Sequence, residues 1–198
     1  VSNGVQSSMT FSGTGQYARD ASIRNPINVQ GPYTVCIVFT PNSTATTQNI
    51  FTISNAGASK AFQIGYRSDV AAGTVWKFGG TSLVTYSYPG VGVTAHLAIT
   101  TDGSNNHVVY YNGSSVNTGT VVADTGTAAE YRLGEYNASE LYNGKICYVS
   151  MHARVLNRGE VLQCYNAVRL RFGLPGSPAE PSGGSGGASS GGVGGGGQ

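Results

Sequence analysis

The stretch Ala95-His-Leu-Ala-Ile-Thr-Thr-Asp-Gly-Ser-Asn-Asn-His-Val-Val-Tyr-Tyr-Asn-Gly113 decides the fold class. Two runs rich in Val, Ile, Thr and Tyr, Ala95–Thr101 and His107–Asn112, are each followed by residues that tolerate positive φ, Asp102-Gly103 and Asn112-Gly113. β-Branched and aromatic side chains fit a pleated, half-buried surface, so the stretch reads as antiparallel strands joined by tight turns.

Segments of the same kind recur in both directions, separated by Gly, Asn, Asp or Pro. They predict strands over Ser8–Gly13, Tyr33–Thr40, Ile50–Asn55, Ala61–Arg67, Val75–Phe78, Leu83–Ser87, Glu130–Gly134 and Lys145–Ala153. Asn143-Gly144 predicts a third turn with the chemistry of the first two. One helix interrupts the pattern. Val161, Cys164, Tyr165, Val168 and Phe172 fall on a single helical stripe, which predicts a helix over Arg158–Phe172. Asn157 and Glu160 have capping-box spacing, Leu156 and Val161 that of a hydrophobic staple, and Gly173 supplies the stop. Arg169 and Arg171 suit the negative end of the helix dipole, a structural reason for the one small basic cluster.

Composition bounds the partners. Only 10% of the 198 residues are charged and the net charge is +2, too weak a field to recruit nucleic acid or acidic lipid. With 39% hydrophobic residues, twelve Tyr and six Phe, the body has enough apolar material for a core. No apolar run approaches the roughly 20 residues of a membrane helix, so membrane insertion is not expected. The polar half is mostly Ser, Thr, Asn and Gly, which fits an extracellular or virion-surface setting, and a start at Val1 fits a leader already removed. Residues 1–174 read as one domain. Residues 175–198 read as a Gly/Ser/Pro-rich tail that cannot bury enough apolar surface to fold alone.

Cys36, Cys147 and Cys164 cannot all pair within one chain. Cys36 and Cys147, both in predicted strands, are the candidate disulfide; three buried thiols acting as small hydrophobes are the alternative.

Read in order, several segments resemble the concanavalin A-like lectin/glucanase superfamily, in particular its laminin-G-like jelly-roll domains. They are Met9-Thr-Phe-Ser-Gly-Thr-Gly-Gln-Tyr17, His96-Leu-Ala-Ile-Thr-Thr-Asp-Gly103, Val109-Tyr-Tyr-Asn-Gly113, Tyr131-Arg-Leu-Gly134, Tyr142-Asn-Gly-Lys-Ile146 and Arg154-Val-Leu-Asn-Arg-Gly-Glu160. The resemblance implies an all-β, two-sheet antiparallel jelly-roll sandwich. Its first and last strands are neighbours and its short C-terminal helix closes one edge.

Members of that superfamily bind sugars, adhere to proteins or hydrolyse glycosides, so the sites decide the function. The glucanase branch carries its carboxylates as Glu-x-Asp-x-x-Glu, a pattern absent here. Glu130, Glu135 and Glu140 are spaced by five, and the last two are expected to be solvated loop residues. No Gly-x-Ser-x-Gly elbow is present, and His96, His107 and His152 lack zinc-motif spacing. An enzyme is therefore not expected. No cofactor is required by the sequence, although Asp69, Asp102 and Asp124 are candidates for a calcium site of the kind the resemblance implies.

Sugar recognition needs an aromatic face and planar hydrogen-bonding groups. Trp76, Tyr86 and Tyr88 on adjacent predicted strands, with Asn105 and Asn106 from a loop, are the candidate glycan set, while a lone Trp in a sandwich is more often core. Asn42, Asn112 and Asn137 head N-glycosylation triplets, about as many as chance supplies. The sequence thus favours a non-catalytic structural or adhesion module that self-associates through the sandwich and its tail, with a lectin-like carbohydrate-binding domain as the alternative.

Overall fold

The computed structural model describes residues 8–20, 31–54, 61–77, 83–121, 130–136 and 138–178. In chain order the strands are β1 (Met9–Ser12), β2 (Ala18–Asp20), β3 (Pro32–Pro41), β4 (Gln48–Ser54), β5 (Ala61–Arg67), β6 (Ala72–Lys77), β7 (Leu83–Tyr86), β8 (Ala95–Asp102), β9 (Asn106–Tyr111), β10 (Ser114–Thr120), β11 (Glu130–Leu133) and β12 (Asn143–His152). They form two six-stranded antiparallel sheets. Sheet A runs β1-β12-β3-β8-β9-β10 and sheet B runs β2-β11-β4-β5-β6-β7. The first and last strands are neighbours, with Met9 opposite Ile146.

The two-residue alternation of each strand sends one set of side chains into the space between the sheets. Val35, Ile37, Phe39, Leu97, Ile99 and Val109 from sheet A meet Ile53, Phe62, Ile64, Val75 and Val84 from sheet B. Each of these side chains contributes about 1.5–3 kcal/mol by leaving water, which makes this layer the main source of stability.

Strand β3 is buried on both faces, and the reason is α1 (Arg158–Phe172). The helix lies on the outer face of sheet A, where Val161, Leu162, Tyr165, Val168 and Phe172 cover Cys36, Val38, Ala98 and Tyr110. It does not close an edge of the sandwich. The capping box is present: Asn157 Oδ1 accepts from Glu160 N at 3.0 Å, and Glu160 Oε2 accepts from Asn157 N at 2.9 Å. Gly173 ends the helix in the left-handed region.

Three local expectations needed correction. Asn112-Gly113 is a turn with both residues at positive φ, but Asn143 and Gly144 begin β12 and turn nothing. Gly144 is there because its neighbours are close: a Cβ would stand 2.3 Å from Thr40 O. Strands β2 and β10 were not expected. Three residues are too few to show a period, and β10 is almost wholly polar, held in register by the turn that pairs it with β9. The ends of two expected strands, at 55 and 78, and the tail from 179 lie outside the described residues.

Candidate binding face

Sheet B has no helix on its outer face among the described residues. Strand register places Arg19, Arg132, Thr52, Gln63 and Trp76 in one row across five strands, from β2 to β6. Glu130 and Ser54 pair in the row on one side; Asn49, Gly65 and Thr74 lie in the row on the other. These are the polar positions in strands whose alternate residues, such as Phe62 and Ile64, fill the core.

The face is polar yet largely buried. Thr52, Gln63, Thr74 and Asn49 are fully inaccessible, and Glu130 and Glu135 are each 2% exposed. Arg132 is the central cation. Its Nε donates to Glu130 Oε1 at 2.7 Å, a second guanidinium nitrogen reaches the same oxygen, and Nη1 donates to Glu135 Oε1 at 3.3 Å. Arg19 Nε donates to Glu130 Oε2 at 2.5 Å, and Ser54 Oγ donates to Oε1 at 3.1 Å. Burial works to raise the Glu130 carboxyl, but Arg132, Arg19 and Ser54 together hold it below the usual carboxylate range. Two arginines against Glu130 and Glu135 balance charge in this cluster.

Glu140 closes the other side. Asn49 Nδ2 and Gln63 Nε2 both donate to its Oε2, the latter at 3.3 Å. Burial raises the Glu140 carboxyl despite those donors and the nearby Arg67. With both amide nitrogens engaged, Asn49 Oδ1 and Gln63 Oε1 remain unpartnered, as does Thr74 Oγ1. A buried polar atom without a partner costs about 1–3 kcal/mol, and these three are closed to solvent as the face stands. The expectation that Glu135 and Glu140 are solvated loop residues is therefore corrected: the first is buried beside Arg132 and the second is half-buried against two amides.

Trp76 is 4% exposed and stands opposite Gln63, on the side of sheet B away from the inter-sheet core. The remaining members of the expected glycan set are elsewhere. Tyr86 is opposite Gly73, one position out of phase with Trp76, so it enters the core, where its hydroxyl donates to Gly65 O at 3.2 Å. Tyr88 packs against it, and both line a cleft of about 400 Å³ with Ser87, Val116 and Asn117. Asn105 and Asn106 belong to the β8–β9 turn on sheet A, where Asn106 Nδ2 donates to Asp102 Oδ2 at 2.8 Å. The five residues do not form one site.

The calcium candidates are likewise engaged locally. Asp69 makes a two-pronged ion pair with Arg67, and Asp102 accepts from Ser104 N at 2.7 Å and from Asn106. Asp124 lies outside the described residues. Asn42 is exposed after β3; Asn112 is half-buried and its Oδ1 accepts from His96 N at 2.9 Å; Asn137 lies outside the described residues. Cys36 and Cys147 do not pair. All three thiols are free: Cys36, opposite Ser150, neighbours Cys164, whereas Cys147 sits at the β12 bulge and packs against the cluster of Val38 and Phe172.

Comparison with known proteins agrees with this architecture. A laminin G family model matches residues 12–162, and its description is the concanavalin A-like lectin/glucanases superfamily. The chain belongs to that superfamily. Among solved members of the fold, the NanB sialidase of Streptococcus pneumoniae in complex with 2-[(3-chlorobenzyl)ammonio]ethanesulfonate matches with a TM-score of 0.62 at 21% identity, over 77% of this chain and 26% of that one. The binding domain of botulinum neurotoxin serotype D/C matches with a TM-score of 0.61 at 16% identity, over 80% of this chain and 43% of that one. The CBM40 domain of the Ruminococcus gnavus IT-sialidase matches with a TM-score of 0.62 at 17% identity, over 80% of this chain and 96% of that one. This chain therefore spans about a quarter of the sialidase chain but nearly all of the CBM40 domain. A search of curated proteins found no match. No helix among the described residues is long and apolar enough to cross a membrane.

The sequence reading missed Gln63, Asn49, Thr52, Arg132 and Arg19. Their signal was present as the polar half of the alternation in Gln48–Ser54 and Ala61–Arg67, but only sheet order reveals that these halves form one surface.

Proposed function

We propose that this superfamily member is a non-catalytic carbohydrate-binding module, extracellular in its setting, whose ligand docks on the outer face of sheet B. The observation that carries this reading is the polar row from Arg19 through Arg132 and Gln63 to Trp76, whose accessible end is Arg19, with its side chain 41% exposed. Sugars present many hydroxyl donors and an apolar ring face, which suits a polar row ending on an indole. Gln63 Oε1 and Asn49 Oδ1 are closed to solvent, so a sugar reaches them only after the side chains above them move. The Ruminococcus gnavus domain with the same fold was solved bound to α2,3 sialyllactose, which supports the same class of ligand here. Glu130 and Glu135 are both held by arginine, which suits positioning better than proton transfer.

The test is an array of neutral and sialylated glycans probed with the full chain, Gln63→Leu and Trp76→Ala. Retention of a defined glycan by the wild type and loss of at least tenfold in either folded variant is the expected result. A wild type that retains no glycan, or variants that bind as well as it does, overturns the reading.

Self-association is the second reading, and β10 is what favours it. This edge strand of sheet A is largely exposed, with Val116 48% accessible, and an unpaired edge is a template for a second chain. Light scattering on the full chain and on a chain ending at Pro175 tests it together with the tail. Assembly of the former alone supports a strap; two monomers refute it.

A further inference from the structure

On the opposite side of the molecule, under α1, three side chains with no role in the binding face converge. Cys36 is on β3, His152 ends β12 and Cys164 is on α1; the two sulfurs and one imidazole nitrogen lie within 4.8 Å of one another. Among the described residues this is the group of His, Cys, Asp and Glu side chains gathered closely enough to share an ion. We propose that Cys36, Cys164 and His152 form a binding site for Zn²⁺, with a fourth position open to water.

Register places two of the ligands before the helix is considered. Cys36 stands opposite Ser150 across the β3–β12 ladder, and His152, two residues on, projects from the same outer face of sheet A. Ser150 Oγ lies 3.5 Å from His152 Nε2 and also hydrogen-bonds the Cys36 thiol, so it tethers both ligands. Cys164 descends from the second turn of α1, whose position is fixed by Val161 and Tyr165 packing on either side of it.

The dimensions and the charge both suit such an ion. Zn–S bonds of about 2.3 Å in a tetrahedron put two sulfurs about 3.8 Å apart, so side-chain rotations that bring donors at most 4.8 Å apart about 1 Å nearer one another close the site. Two thiolates neutralise a divalent cation, and the neighbouring Arg154 and Glu160 neutralise one another at 2.8 Å. A neutral assembly is what a largely buried site tolerates. Binding of M²⁺ by two thiols releases two protons and leaves no change in oxidation state. Cys36 is fully buried, whereas His152 and Cys164 are half-buried and offer the way in. Sulfur and imidazole donors select Zn²⁺ over Ca²⁺ or Mg²⁺, and charge neutrality selects it over Cu⁺.

The spacing rules that find zinc motifs depend on ligands close in sequence, and ligands at 36, 152 and 164 lie outside them. This site faces away from the carbohydrate-binding face, so the two proposals fail separately.

The test uses the reduced, metal-free full chain titrated with Co²⁺ as a spectroscopic probe and then with Zn²⁺. One equivalent of Co²⁺ is expected to give thiolate charge-transfer and tetrahedral ligand-field bands. Zn²⁺ is expected to displace it, release two protons per ion by calorimetry in two buffers, and raise the melting temperature. Cys164→Ala and His152→Ala remove half-buried groups; each should keep its circular dichroism spectrum and lose at least tenfold in affinity. Cys147→Ala should bind as the wild type does. Absence of Co²⁺ uptake by the reduced chain, or equal uptake by Cys164→Ala, overturns the proposal. A Cys36–Cys164 disulfide in protein handled without reductant, together with no uptake after reduction, makes the pair a redox couple and overturns it as well.

Discussion

Gln63 on β5 and Trp76 on β6 face each other across one ladder, on the side of sheet B turned away from the apolar core. The indole is therefore an integral reporter of that surface. As the chain's single Trp, 4% exposed, it should emit at short wavelength in the free protein. Addition of a bound glycan should change its intensity, and Gln63→Leu should abolish the change. An emission that stays constant while binding is seen by another method places the ligand elsewhere.

Arg132 holds two buried carboxylates, and its removal should be costly. Arg132→Ala leaves Glu130 and Glu135 without their central counter-charge, a loss of about 3–5 kcal/mol as for other broken buried pairs. Arg132→Ala with Glu130→Gln should recover part of it. Chemical denaturation measures both, and a single variant within 1 kcal/mol of wild type, a limit well below that range, would mean that water replaces the guanidinium.

Gly73 lies under the ring of Tyr86. A Cβ there would stand 2.3 Å from Tyr86 Cε2, and the ring is anchored by its hydroxyl bond to Gly65 O. Gly73→Ala should cost about 1–3 kcal/mol by overpacking. Combination with Tyr86→Leu should cost less than the sum of the two single changes. Strict additivity in that cycle would show that the ring is not trapped.

His96 should make the fold acid-sensitive. It is fully inaccessible, its two ring nitrogens have no partner, and burial pushes its pKa down to about 4. The unfolded chain binds a proton near pH 6.5 and the folded one does not until about 4, so the contribution is complete above 6.5 and is lost as pH falls through that window. The loss amounts to about 3 kcal/mol at most. His107, also lowered by burial, acts in the same direction. Stability measured from pH 7 to 4.5 should fall for the wild type and fall less steeply, by up to one proton, for His96→Leu. Parallel curves would assign the acid sensitivity to other groups.

The strands and helix were legible in the sequence where local chemistry and tertiary environment agree. Asn157 with Glu160, and Asn112 with Gly113, act within a few residues, so their geometry could be read directly. Strand β10 could not, because pairing with β9 and not its own side chains makes it a strand. The same limit hid the polar row of sheet B. Tyr86 and Trp76 look alike as aromatics on adjacent strands, but one residue of register sends them to opposite sides of the sheet. Gln63, Arg132 and Arg19 carry no motif; they become a surface only when strands far apart in the chain are laid side by side.

Because α1 covers the outer face of sheet A, one broad sheet surface of the molecule is already spent internally. Among the described residues the outer face of sheet B carries no helix, so on the proposed reading a single copy would be monovalent through its sheets. Firm attachment from a shallow sugar site would have to come from copy number, since linking copies raises the local concentration for each further contact by orders of magnitude without any new interaction.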